Sequence, residues 1–114
     1  MPLKRETAEE IFQKLRSVQP VSFQLTNHRG IILASDDEDQ VGRRDSRAAA
    51  CCMRPFNEAV SYALDAGCGT VIPFWRRNRI AGTIILEQTA DEKAQACLPL
   101  MKAVVELMLE RKES

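Results

Sequence analysis

Three arginines, Arg43, Arg44 and Arg47, crowd a stretch in which Asp45 or Ser46 can cap the start of a helix. A helix start presents unpaired N–H groups, and a guanidinium fork can hold both oxygens of a carboxylate, so such a stretch suits a small anion. Just upstream lie Ser35 and Asp37, which supply a hydroxyl and a carboxylate, and Gly42, which permits a tight turn and close approach of the backbone. Thr83, from a later strand, adds a second hydroxyl. The candidate ligand residues are Ser35, Asp37, Gly42, Arg44, Asp45, Arg47 and Thr83, and their chemistry suits a small anion. The alternative is that the arginines pair at the surface with Asp36, Asp37 and Asp39, an arrangement that contributes little. Ser22, Gln24 and Thr26 share one strand face and either line a pocket, where helices cover that face, or face solvent.

Little in the chain points to catalysis. His28 is the only histidine and falls in a predicted turn, without a nucleophile or carboxylate in motif context. No phosphate-binding loop or metal cluster can be read from the residue order, so neither enzyme activity nor a cofactor nor a metal is expected. The four cysteines, Cys51, Cys52, Cys68 and Cys97, form no C-x-x-C pair and read as reduced thiols of a cytoplasmic protein. Sixteen basic and sixteen acidic residues cancel, which argues against direct nucleic-acid binding, because phosphate neutralisation needs a basic excess. No apolar run approaches the roughly 20 residues of a membrane span, and the polar start does not resemble a secretory signal.

The elements that must position these groups follow from periodicity and punctuation. Thr7 and Glu10 have capping-box spacing, and Ile11, Phe12, Leu15 and Val18 form a helical stripe that closes at Gln19-Pro20. Val21 to Thr26 alternates as a strand does, the turn Asn27-His28-Arg29-Gly30 follows, and Ile31–Ser35 completes a hairpin. After the acidic loop Asp36–Asp39, a short helix is expected through Ala48–Met53, interrupted by Pro55. A second is expected over Asn57–Leu64, ending near Gly67 and Gly69. Two strands follow, about Thr70–Trp75 and Ile80–Glu87, joined at Arg76-Arg77-Asn78-Arg79. Thr89 and Glu92 then open a helix to about Arg111 that contains Pro99. The expected architecture is α+β and PAS-like or profilin-like: one domain over 1–114, an antiparallel sheet flanked by the N- and C-terminal helices, which cover one face.

Two segments resemble a known family. Gly30-Ile31-Ile32-Leu33-Ala34-Ser35-Asp36-Asp37-Glu38-Asp39-Gln40-Val41-Gly42 resembles the G-x-I-I-x-S-x-D-x-x-x-[IV]-G signature of the sugar diacid recognition domain. That domain forms the N-terminal part of bacterial carbohydrate diacid regulators. Ile72-Pro73-Phe74 and Arg79-Ile80-Ala81-Gly82-Thr83-Ile84-Ile85-Leu86 are similar to its proline-bearing strand and glycine-containing hairpin. The family commonly has a histidine where this chain has Asp45, and Thr-Gly-Glu where it has Glu87-Gln88-Thr89.

The resemblance implies a sensory domain that binds a sugar acid or related carboxylate within a transcription regulator, either freestanding or as a part of a longer chain. A ligand-free PAS-like dimerisation or docking module is the alternative. On the last helix, Cys97, Met101, Val104 and Met108 form one apolar stripe, with Leu100, Ala103 and Leu107 on another side. One stripe can cover the sheet, and the other is expected to form a homodimer interface.

Overall fold

The computed structural model describes residues 3–18, 22–52, 60–64, 67–77, 79–86 and 98–113. In chain order they form α1 (Arg5–Val18), β1 (Phe23–Asn27), β2 (Ile32–Ser35), a single 3-10 turn (Glu38–Gln40), α2 (Ser46–Cys52), β3 (Val60–Leu64), β4 (Gly67–Arg76), β5 (Arg79–Leu86) and α3 (Leu98–Glu113). The strands make one antiparallel sheet in the order β2-β1-β5-β4-β3. The α+β, PAS-like arrangement expected from the sequence is the one observed.

Alternation along the strands gives the sheet two unlike faces. Phe23 and Leu25 of β1, Ala34 of β2, Ile72 and Phe74 of β4, and Ile84 and Leu86 of β5 point to one side. There they pack against Ala8, Ile11, Phe12 and Leu15 of α1 and Met101, Val105 and Leu109 of α3. The rings of Phe12 and Phe23 lie 4.7 Å apart and tilted, a favourable geometry for an aromatic pair. The opposite side carries Gln24, Thr26, Ser35, Thr83, Val71 and Ile85, and α2 lies over it, with Ala48 buried against Val71 and Ile85.

Four expectations need correction. Helices do not cover one face only, because α2 sits on the second. Val60–Leu64 is a strand rather than a helix: Val60, Tyr62 and Leu64 recur at period two, and Leu64 pairs with Gly67 across a two-residue connection. The Gly67 and Gly69 read as a helix end therefore lie in β4, which begins three residues earlier than expected. Finally, α1 starts at Arg5, and the Ala8 N–H donates to the Lys4 carbonyl (2.9 Å), so Thr7 sits in the first turn rather than at the cap. The capping box at Thr89 and Glu92, and Cys97, lie outside the described residues.

Local chemistry fixes the hairpins. The Asn27 Oδ1 accepts the N–H groups of Arg29 (2.9 Å) and Ile31 (3.1 Å), closing the β1–β2 turn, with His28 exposed at its tip. Gly82 crosses β1 so closely that a Cβ there would meet the Thr26 carbonyl and come within 2.7 Å of the Phe74 ring. Pro73 lies in β4 opposite Thr83 of β5, and among the described residues β3 pairs with β4 no further along than Val71. A bulge at Phe74/Trp75 takes the Trp75 N–H out of the regular ladder, and it donates to the Glu106 Oε2 of α3 at 2.7 Å. Lys102 donates to the same oxygen at 2.8 Å. No helix among the described residues is long and apolar enough to cross a membrane.

Among the described residues, Thr26 and Thr83 are the two fully buried polar ones, both on the second face, with their hydroxyl oxygens 2.7 Å apart. The Thr26 hydroxyl donates to the Asn27 carbonyl at 3.0 Å, so Thr83 must be the donor to Thr26. The two threonines are therefore not equivalent. Thr26→Val strands a buried hydroxyl proton on Thr83 and should cost about 1–3 kcal/mol, whereas Thr83→Val should cost about 1 kcal/mol. The double valine variant should be more stable than Thr26→Val alone. Urea denaturation of the three variants checks this, and the reverse order of the single variants would refute the assigned donor direction.

Candidate functional site

The outer edge of β2 is not left bare. After the 3-10 turn, the chain returns antiparallel beside it: the Gly42 N–H donates to the Ile32 carbonyl, the Ile32 N–H to the Arg43 carbonyl, and the Asp45 N–H to the Gly30 carbonyl, each at 2.8 Å. Gly42 adopts φ +92, a left-handed conformation that suits glycine. Gly30, at φ +82, lies so close to α2 that a Cβ would come within 2.7 Å of the Ala49 nitrogen. These contacts deliver Asp45 to the first turn of α2 beside the second face of the sheet.

There Asp45 acts as the cap. Its Oδ1 accepts the N–H groups of Arg47 (2.9 Å) and Ala48 (3.1 Å). The Arg47 guanidinium closes on the same carboxylate, Nε to Oδ1 at 3.2 Å and Nη2 to Oδ2 at 2.8 Å. Burial alone would raise the Asp45 pKa, but the hydrogen bonds and charge of Arg47, together with the Ala48 N–H, outweigh it and hold the carboxyl below its ordinary 3.8.

A cleft of about 360 Å³ opens beside this pair. Ser22, Gln24 and Ile32 line it from the first hairpin, Ser35, Asp36, Asp37 and Gln40 from the end of β2 and the 3-10 turn, and Asp45 and Arg47 from the start of α2. Its volume lies within the range of small-molecule sites. The polar walls are internally braced. The Ser35 Oγ accepts from the Gln24 amide (3.1 Å) and from the Asp37 N–H (3.1 Å). The Asp37 carboxylate caps the 3-10 turn through the Asp39 N–H (3.0 Å). Asp36 accepts from Ser22 (3.1 Å) and forms an ion pair with Arg16 of α1.

Of the residues singled out from the sequence, Ser35, Asp37, Asp45 and Arg47 converge on this cleft. Gly42 supports it from behind, in the turn bonded to Ile32. Arg44 is exposed, bridges Ile31 through its backbone and does not line the cleft. Thr83 is fully buried and bonded to Thr26, and does not line the cleft. The surface alternative paired Asp36 with one of the three arginines, and the structure pairs it with Arg16, from a different element. Gln40 and Ile32 were not singled out, and the one signal for them was their position inside the Gly30–Gly42 segment.

Among the described residues, no group of three His, Cys, Asp or Glu is placed to hold a metal ion. The half-buried Cys52 thiol donates to the Asn27 carbonyl at 3.9 Å.

An antiparallel sheet with its core on one face and a polar cleft on the other is a PAS-like α+β domain. Residues 3–114 match the family model described as "Putative sugar diacid recognition", and the chain belongs to that family. No curated protein matches it.

The Asp45 cap should make stability depend on pH in a defined way. Because its folded pKa is lowered, the folded state holds fewer protons than the unfolded state as pH falls, so this contribution is complete above the ordinary carboxylate value and is lost as pH drops through the folded one. The stability difference between the wild type and Asp45→Asn should therefore be constant near neutrality and shrink below about pH 4. Urea melts of both proteins from pH 7 to pH 3 measure it, and a difference that grows on acidification contradicts the assignment.

Proposed function

We propose that this chain is a single sensory domain that binds a sugar acid or related carboxylate in the Ser35–Arg47 cleft. It acts in the cytoplasm as part of a transcription regulator, by binding rather than by catalysis. The observation that carries this reading is the convergence of Ser35, Asp37, Asp45 and Arg47 on one cleft, in a chain whose family is described by sugar diacid recognition. Arg47 supplies a fork for a carboxylate, and Ser22, Gln24, Ser35 and Gln40 supply groups for hydroxyls. Gly42 shapes the turn behind this cleft, whereas Arg44 and Thr83 do not line it and are given no ligand contact.

The domain is further proposed to form a homodimer through α3. Met101, Val105 and Leu109 face the sheet, while Leu100 and Leu107 are 61% and 51% exposed on another side of the helix. The same exposed leucines favour the alternative reading, a dimerisation or docking module without a ligand.

A thermal-shift screen of glycerate, glucarate and galactarate at millimolar concentration separates the two readings. Under the sensory reading at least one compound raises the melting temperature, since a ligand that binds only the folded state stabilises it. Arg47→Ala should then weaken that compound's binding at least about tenfold, the worth of one charge-assisted hydrogen bond. A flat screen favours the docking module. Leu107→Glu should convert the dimer to monomer in light scattering, because the interface would have to bury an unpaired charge. A wild-type protein that is already monomeric at high micromolar concentration contradicts the dimer.

A further inference from the structure

The cation that the proposed site offers to a carboxylate is already held by a carboxylate of the chain. Both Asp45 oxygens take part: Oδ2 accepts from Arg47 Nη2 at 2.8 Å, and Oδ1 accepts from Arg47 Nε at 3.2 Å while also capping α2. The pair is largely shielded, with side-chain exposures of 14% for Asp45 and 21% for Arg47, so solvent weakens it less than it would an open surface pair. Both residues line the cleft. We infer that Asp45 is an internal competitor for the ligand: it occupies the face of Arg47 that an acid would use, and so sets both the affinity for acids and the discrimination among them. This rests on the proposed ligand reading of the cleft.

The geometry divides the two duties of Asp45. Capping needs one acceptor oxygen at the Arg47 and Ala48 N–H groups, which an amide oxygen can supply. Competition for the guanidinium needs the negative charge and the second oxygen. The carboxyl stays ionised at neutral pH, held so by Arg47 and the two N–H groups, so the competition is always present there. With Asp36 and Asp37 on the same walls, an incoming acid meets three carboxylates, and it reaches the Nε–Nη2 edge of Arg47 only by displacing Asp45. A neutral polyol brings no charge to compete with Asp45 for the guanidinium, and meets only hydrogen-bonding groups.

Asp45→Asn therefore separates capping from competition. Isothermal titration of wild type and variant with glycerate, glucarate and the neutral polyol glucitol provides the test. For the acids, the variant should bind about tenfold tighter, the equivalent of one charge-assisted hydrogen bond returned to the ligand. Glucarate should gain more than glycerate, because it brings two charges past the position where one was removed. Glucitol affinity should not change. If Asp45→Asn fails to fold, Asp45→Ser keeps a capping oxygen and must show the same gain. Acid binding that is unchanged or weaker in a folded variant, with the wild type binding normally, overturns the role of Asp45 and leaves the ligand reading intact. If neither wild type nor variant binds either acid, the ligand reading falls, and the inference with it.

Discussion

The free edge of β2 is the constraint on which the second face of this domain depends. A bare edge strand presents unpaired N–H and C=O groups, and this one is closed by the chain's own return through Gly42, Arg43 and Asp45. Closure in so short a span requires a left-handed residue at each end, and Gly30 and Gly42 provide them. Once the edge is closed, little is left to choose. Asp45 must arrive at the first turn of α2, Ala49 must pack on Gly30, and Ala48 must reach Val71 and Ile85. The cleft is the space left between the strand ends and this return.

The two faces answer to different physics. On the α1–α3 side the ordering force is apolar burial, which is non-directional and tolerates changes of shape at conserved volume. On the α2 side it is directional: a hydroxyl pair, an Asx-bonded turn, a capped helix and a braced serine. Polar walls with such defined partners keep their geometry without a ligand present. This is what a recognition surface needs if little of the binding energy is to be lost in ordering it.

Much of this was legible in the residue order, and the reasons differ by element. Strand alternation in β1, with apolar Phe23 and Leu25 against polar Gln24 and Thr26, is a local signal and survives intact. The capping role of Asp45 was legible for the same reason, since a cap is decided within three residues. β3 was misread because Val60–Leu64 follows a proline and precedes two glycines, punctuation that fits the end of a helix as well as it fits a hairpin. The Thr26–Thr83 bond and the pairing of Asp36 with Arg16 join residues far apart in the chain, and no local pattern encodes them. The same holds for Arg44: its type suited an anion, but it is exposed on the return beside β2 and does not line the cleft.

The bulge at Phe74/Trp75 ties the sheet to α3, because the strand N–H it releases is taken by Glu106. Trp75 is also the only tryptophan in the chain. The protein thus carries a native fluorophore at the joint between its sheet and its terminal helix. The Trp75 ring is partly exposed, and its indole N–H is buried without a hydrogen-bond partner. A displacement of α3 from β4 would break the bond between the Trp75 N–H and Glu106, at the residue whose emission wavelength responds to its surroundings.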